Sequence, residues 1–93
     1  MLIEWAESAV RDMEGIYQYR AREDGETFAS SVIQRITATT ERLTMFPLSG
    51  RRGSVDGTRE VVVNGLPYVI HYTVDGAYTR IVRVRHTSRE PLQ

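Results

Sequence analysis

The chain has 93 residues, of which 41% are apolar, with twelve basic and twelve acidic side chains. This length fits one small domain with a single core, and the apolar fraction excludes wholesale disorder. Balanced charge argues against nucleic-acid binding driven by bulk charge, and the absence of cysteine excludes disulfides and thiolate zinc sites. No apolar run approaches the length of a membrane span, so we expect one cytoplasmic domain over residues 1–93, without membrane contact, metal or cofactor.

A short opening strand at residues 1–5 is followed by two helical patterns. Apolar side chains recur at three- and four-residue steps over 6–21 and again over 25–46, as in amphipathic helices. The first helix has no good N-cap, whereas Asp24 and the glycine after it are expected to cap the second. Pro47 should end the second helix, and the short connector predicts an antiparallel helical hairpin.

Residues 47–57 predict a loop, because three glycines and two adjacent arginines fall within eleven residues. The arginines, Arg51 and Arg52, could meet phosphate groups. The alternative is a solvated linker from the helical hairpin to the sheet.

Residues 57–86 predict three antiparallel strands, to which the opening strand is added. Two dipeptides typical of hairpin turns, Asn64-Gly65 and Asp75-Gly76, separate runs of β-branched and aromatic residues.

Turn length sets the register of these strands. A two-residue loop at Asn64-Gly65 places Val61 opposite Tyr68. A two-residue loop at Asp75-Gly76 would bury cations on the aromatic face, which is costly without partners. We therefore expect a three-residue loop over 75–77, with Val84 opposite Tyr68. The predicted core face is then Val61, Val63, Tyr68, Ile70, Tyr72, Val82 and Val84, and the predicted opposite face is Glu60, Val62, Val69, His71, Ile81, Arg83 and Arg85.

The order of elements carries several short sequence patterns. They are IEW at 3–5 followed by an alanine and Asp12, FPLSGR at 46–51, GTRE at 57–60, PYVIHY at 67–72 and IVRVRH at 81–86. Together they resemble the RelE/ParE superfamily of type II toxin–antitoxin toxins, and the IVRVRH ending is closer to the ParE-like branch. The resemblance implies an α+β fold with an N-terminal strand, an antiparallel αα-hairpin and a three-stranded antiparallel sheet. It also implies a small toxin that a cognate antitoxin neutralises.

The two branches of this superfamily have different targets. RelE-like members are ribosome-dependent mRNA endoribonucleases, which need groups that transfer protons and cations that hold a phosphate. Arg59, Arg83, Arg85 and His86 are the residues that would serve here. ParE-like members inhibit DNA gyrase and lack that constellation.

Two observations favour the ParE-like branch. Pro67 and Tyr68 stand where the nuclease branch often has an arginine. The predicted register also separates Arg59 from the neighbourhood of His86 by about 13 Å at strand rise. We therefore expect a gyrase inhibitor with no catalytic residue. A nuclease acting on ribosome-bound mRNA, and a non-toxic homologue that only binds an antitoxin, remain the alternatives.

The predicted face opposite the core face is called the open face of the sheet. Its charged side chains form the candidate surface for the antitoxin or the target. The alternative is a solvated face whose arginine stems cover apolar surface. For His86, a partly buried, capped histidine at a strand end is the commoner explanation. The candidate binding residues are Glu60, His71, Arg83, Arg85, Arg51 and Arg52.

Overall fold

The computed structural model describes residues 2–89 and shows two helices packed against one five-stranded sheet. The expected α+β class is confirmed. In chain order the elements are β1 Leu2–Trp5, α1 Glu7–Asp24, α2 Glu26–Arg42, β2 Arg51–Arg52, β3 Arg59–Val62, β4 Tyr68–Asp75, β5 Tyr78–His86 and a 3₁₀ turn at Thr87–Arg89.

The strands lie in the order β1-β5-β4-β3-β2, and the sheet is mixed. β1 runs parallel to β5, whereas every other neighbouring pair is antiparallel. The parallel pair corrects our expectation of a purely antiparallel sheet. Parallel neighbours cannot be joined by a tight turn and need a long connection. Here the helices and the other strands lie between β1 and β5 along the chain, which provides that connection. The predicted loop over 47–57 also contains a short edge strand, β2.

Both helices begin within one residue of the predicted positions, but α1 ends three residues later than predicted and α2 ends four residues earlier, at Arg42 and not at Pro47. Ala6 precedes α1 without a side-chain cap, as expected. Of the two residues expected to cap α2, Gly25 is its N-cap, without a side-chain cap bond, whereas Asp24 ends α1 and pairs with Arg20 at 3.0 Å. Gly25, with a φ of 93°, forms the junction to α2. Phe46 lies beyond the end of α2 and is exposed, so the predicted apolar stripe of that helix is shorter than expected.

The core lies between the helices and one face of the sheet. Val61 is partly buried against it, as predicted. Val82 was expected in the core but is only half-buried, and Ile81, which was expected on the opposite face, is fully buried instead. The buried cluster consists of Ala9, Val32, Ile36, Leu43, Val63, Tyr68, Ile70, Tyr72, Ile81 and Val84.

The connection between β3 and β4 is longer than predicted. Val61 lies opposite Ile70, not Tyr68. Val63 N donates to Tyr68 O at 2.9 Å, so Val63 lies opposite Tyr68. The connection between the two strands therefore has four residues, 64–67. Only its glycine has a positive φ, as in a type II turn, whereas a type I′ turn needs positive φ at both central residues. The shift is two residues, so the predicted face of each side chain is preserved.

The register of β4 and β5 also differs from the prediction. Asp75 lies opposite Tyr78, so the expected three-residue loop is wrong. Tyr72 faces Ile81, but its neighbour His71 faces Arg83, which leaves Val82 as the extra residue of a β-bulge. The two-residue turn places Ile81 opposite Tyr72 and so on the core face, and the bulge at Val82 then returns Val84 to that face opposite Ile70.

Side chains of α1 form hydrogen bonds with the backbone groups of β5 along the part of its edge that β1 does not cover. β1 pairs with β5 as far as Ile81. Beyond that point, Ser8 Oγ donates to Val82 O at 2.8 Å, and Val84 N donates to Asp12 Oδ2 at 2.9 Å. Two side chains one helical turn apart therefore replace a neighbouring strand, which protects this edge from further strand pairing.

Candidate functional site

A groove of about 580 Å³ lies between α1 and the C-terminal end of β5. One wall comes from α1, and the other comes from β4, β5 and the 3₁₀ turn. Four of the lining side chains are arginines, and one is a carboxylate. The lining residues are Arg11, Asp12, Gly15, Ile16, Tyr19, Arg20, Tyr68, Arg83, Val84, Arg85, His86 and Ser88.

The carboxylate of the groove, Asp12, is held by its own chain on both oxygens. Arg83 donates from Nε to Oδ2 at 2.8 Å and from Nη2 to Oδ1 at 3.1 Å, and Val84 N also donates to Oδ2. This two-pronged geometry is the strong form of an arginine–carboxylate pair. The hydrogen bond that Arg83 donates to Asp12 raises the pKa of Arg83 above its ordinary value. Arg83 is therefore a fixed cation at the groove wall.

Arg20, Tyr68 and His86 form a second interacting set in the groove. Arg20 Nε donates to the Tyr68 hydroxyl at 2.9 Å, and Nη1 donates to Asp24. These bonds, the one to Tyr68 first, raise the pKa of Arg20. The His86 ring meets the Tyr68 ring edge-on, with centroids 5.5 Å apart.

His86 has a defined tautomer when its ring is neutral. The backbone N of Ser88 lies 3.1 Å from His86 Nδ1 and can only donate, so Nδ1 is the acceptor. The ring proton therefore sits on Nε2. The expected capped, half-buried histidine at the end of a strand matches this geometry.

The open face of the sheet carries a row of charged side chains across three strands. Glu60 is only 8% exposed, and it accepts from Arg51 Nε at 3.1 Å and Nη2 at 3.0 Å. His71 Nδ1 lies 3.6 Å from the other Glu60 oxygen. Glu60 and His71 are thus adjacent, as their direct pairing between β3 and β4 requires. None of these three residues lines the groove, but the row adjoins it, because His71 lies opposite Arg83 of the groove lining.

Arg59 is remote from the groove and holds a loop in place. Its Nη1 donates to Gly50 O at 2.8 Å and to Leu48 O at 3.3 Å. It lies opposite Tyr72, whereas His86 lies opposite Tyr68, four residues away along β4. The two positions are about 13 Å apart at strand rise. Arg52 is exposed on the edge strand β2.

The structure thus places six of the eight predicted site residues in two groups, and Arg52 and Arg59 belong to neither. Arg83, Arg85 and His86 line the groove, while Arg51, Glu60 and His71 form the row on the open face. Sequence reasoning did not assign the groove residues Arg11, Arg20, Asp12 and Tyr68. Asp12 belongs to one of the patterns quoted above, but its partner Arg83 is 71 positions away. The sequence spacing gave no signal for that pair.

Comparison with known proteins places the chain in a family. A sequence model described as the ParE toxin of the type II toxin–antitoxin system parDE matches residues 3–91. The chain belongs to the ParE toxin family. Another relative is Y4kP, an inferred toxin of Sinorhizobium fredii. It is 32% identical over 88 residues, which are 95% of this chain and 90% of that protein.

Solved structures show the same fold as this ParE-family chain. A chain of the chromosomal ParDE system from P. aeruginosa superposes with a TM-score of 0.85 at 24% identity, covering 92% of this chain and 95% of that one. A YoeB/ParE toxin from Agrobacterium tumefaciens gives a TM-score of 0.64 at 17% identity, covering 92% and 98%. A variant of YafQ from E. coli gives 0.59 at 14% identity, covering 92% of each chain.

Two further features of the ParE-family chain bear on its chemistry. Within residues 2–89, the His, Asp and Glu side chains form no group of three that could hold a metal ion. Neither helix of that described part is both long and apolar enough to cross a membrane.

Proposed function

We propose that this ParE-family toxin inhibits DNA gyrase by binding it, and that a cognate antitoxin neutralises the toxin in the cytoplasm. The toxin acts in this proposal as a binding protein without a catalytic residue. Its contact residues for antitoxin or gyrase are those at the end of the groove and those on and beside the open sheet face. They are Arg83, Arg85, Glu60, His71, Arg51 and Arg52.

The proposal depends on the hydrogen bonds that Asp12 accepts. Cleavage of RNA by its own 2′-hydroxyl needs one group to take a proton and another to give one to the leaving oxygen. His86 could do one of these. Asp12 is the carboxylate nearest to it in the groove lining, but both Asp12 oxygens already accept hydrogen bonds from Arg83 and Val84. Glu60 and Arg59 lie on β3 and do not line the groove. The geometry therefore supports binding over acid–base catalysis.

One observation favours the second candidate, a RelE-like ribosome-dependent endoribonuclease. The central strand has Tyr68 where that branch often has an arginine, but Arg20 from α1 brings a guanidinium to the Tyr68 hydroxyl. The guanidinium of Arg20 thus lies close to the position where the nuclease branch often has its arginine, although it comes from α1 and not from the central strand. With Arg85 and His86 in the same groove, it could hold a phosphate near a proton donor.

Two assays in parallel test the proposal. Purified toxin is added to a gyrase supercoiling reaction and to a translation reaction in which mRNA cleavage is mapped. We expect loss of supercoiling, intact mRNA, and an unchanged result with His86→Gln, because no proton transfer is involved. A nuclease would instead lose about 10²–10⁴-fold in cleavage rate in that variant. Ribosome-dependent cleavage that disappears in a folded His86→Gln protein would refute the proposal.

A further inference from the structure

We propose that residues 45–48, in the connection between α2 and β2, insert into an apolar recess of DNA gyrase, with Arg52 and Arg59 beside a carboxylate of that protein. We call this segment, with the sequence Met-Phe-Pro-Leu, the apolar loop. The inference rests on the proposed function, because it names a contact with the proposed target. It adds apolar side chains to a contact that the proposed function assigns to charged residues and one histidine.

The apolar loop exposes three large side chains within four consecutive positions. Met45 is 72% exposed, Phe46 is 60% exposed and Leu48 is 63% exposed. Single exposed apolar residues are ordinary on a protein surface, but a contiguous group of them marks an interaction site. Methionine, aromatic residues and arginine are also the types that are enriched in protein interfaces. The composition of this surface therefore indicates a contact with another protein.

Hydrogen bonds to the rest of the domain hold the apolar loop in one shape. The hydroxyl of Tyr72, whose side chain is fully buried, donates to Pro47 O and accepts from Gly50 N, both at 2.9 Å. Phe46 N donates to Arg42 O at 2.9 Å, at the end of α2. The exposure of the loop is therefore not the result of a loosely held backbone. A contact made by a segment that is already ordered loses little conformational entropy on binding.

Two arginines that have no acidic partner adjoin the apolar loop. Arg59 Nη1 donates to Leu48 O, and Arg52 lies directly opposite Arg59 in the pair of β2 and β3. Among residues 2–89, no carboxylate forms an ion pair with either guanidinium. Like charges directly opposite each other on neighbouring strands are destabilising, so a carboxylate supplied by a partner would relieve this repulsion. The charge of the surface therefore favours a partner with an acidic group beside its apolar recess.

The shape and charge of this surface favour a folded protein over a peptide or a nucleic acid. A projecting loop needs a recess to receive it, whereas a helical or extended peptide itself lies in a groove of its receptor. The chain has zero net charge, so it lacks the broad basic field that holds duplex DNA. Gyrase is the folded protein that the proposed function names as the target, and we therefore assign the apolar loop to it.

Binding of the toxin to gyrase in the absence of DNA tests this contact. Toxin is titrated onto immobilised gyrase, and each variant is also assayed for inhibition of supercoiling. We expect Phe46→Ser and Arg52→Glu each to raise the Kd for gyrase at least about tenfold, because one removes apolar area from the contact and the other faces a carboxylate with a like charge. Inhibition should weaken in parallel. Both side chains are exposed, so both variants should keep the wild-type Tm.

Two matched substitutions near the other end of α2 serve as controls. Phe28→Ser removes another exposed aromatic side chain, and Arg22→Glu reverses another exposed arginine, close to the junction of the two helices. α2 has 17 residues, so this junction lies about 25 Å from the end of the helix that leads into the apolar loop. Both control variants should bind gyrase and inhibit supercoiling as the wild type does.

Other occupants of the apolar loop would give different results, each of which overturns the assignment to gyrase. Binding of the toxin alone to a duplex oligonucleotide that is lost in Phe46→Ser would indicate a DNA contact. A change from dimer to monomer in the sedimentation of that variant, with gyrase affinity unchanged, would indicate a second copy of the chain. Loss of affinity for the co-expressed antitoxin alone would indicate the antitoxin.

The wild-type protein separates this inference from the proposed function. If wild-type toxin inhibits gyrase and the two loop variants bind gyrase equally well, only the assignment of the apolar loop fails. The same holds if the control variants lose as much affinity as the loop variants. If wild-type toxin neither binds nor inhibits gyrase, the proposed function fails, and this inference fails with it.

Discussion

Replacing Asp12 tests how the groove is built. Asp12→Ala removes the acceptor of Val84 N–H and both bonds to Arg83. An N–H left without a partner costs about 1–3 kcal/mol. The ion pair adds only about 0.5–1 kcal/mol, because the Arg83 side chain is 41% exposed and solvent screens the charges. We expect the free energy of unfolding to fall by about 1.5–4 kcal/mol.

Asp12→Asn provides the graded comparison. Its amide oxygen can still accept from Val84 N, so only the charge and one oxygen are lost, and the expected cost is about 1 kcal/mol. For a domain of this size each kcal/mol lowers Tm by about 4–8 °C. Glu7→Gln breaks the exposed ion pair with Arg11 and is the control, with an expected change within about 0.5 kcal/mol.

Thermal and urea unfolding of the four proteins measure these differences. The pKa of Arg83 is raised, so its contribution is present below the ordinary arginine pKa and is lost only as pH rises through the raised value. The stability gap between wild type and Asp12→Asn should therefore stay constant from about pH 7 to about pH 10. A melting temperature for Asp12→Ala within about 2 °C of wild type would refute the reasoning.

The remaining predictions concern packing around the loop before β2 and the middle of α1. In Gly50→Ala the new Cβ would overlap the Tyr72 hydroxyl and lie 2.8 Å from Glu60 O, so we expect a loss of about 2 kcal/mol or more in chemical unfolding. Gly15→Ala meets nothing within 4 Å and should gain about 0.5–1 kcal/mol, and a loss would contradict the helix argument. Tyr72→Phe removes the hydroxyl that donates to Pro47 O and accepts from Gly50 N, both at 2.9 Å. It should cost about 1–3 kcal/mol and speed hydrogen exchange at Gly50, and unchanged exchange there would count against this anchor.

Local periodicity in the sequence was enough to predict the fold class. The three- and four-residue steps of apolar side chains located both helices, since a helix must bury one face. Strict alternation in β4 placed Tyr68, Ile70 and Tyr72 in the core, where the structure has them. The patterns that resemble the RelE/ParE superfamily identified the family that the match over residues 3–91 then established.

The strand registers were decided only by the tertiary structure. A shift of two residues leaves every side chain on its face, so the alternation around Val61 could not tell a two-residue turn from a four-residue connection. The bulge at Val82 places both Ile81 and Val84 in the core, which a strict period of two cannot describe.

The groove also depended on contacts that the sequence spacing does not encode. Arg83 and Asp12 are 71 positions apart, and Arg20 and Tyr68 are 48 apart. These pairs form because α1 lies along the edge of β5 beyond the end of β1. The packing of the helices on the sheet sets this position of α1. The sequence alone therefore determined which cations the chain carries, and the tertiary structure determined which of them share one groove.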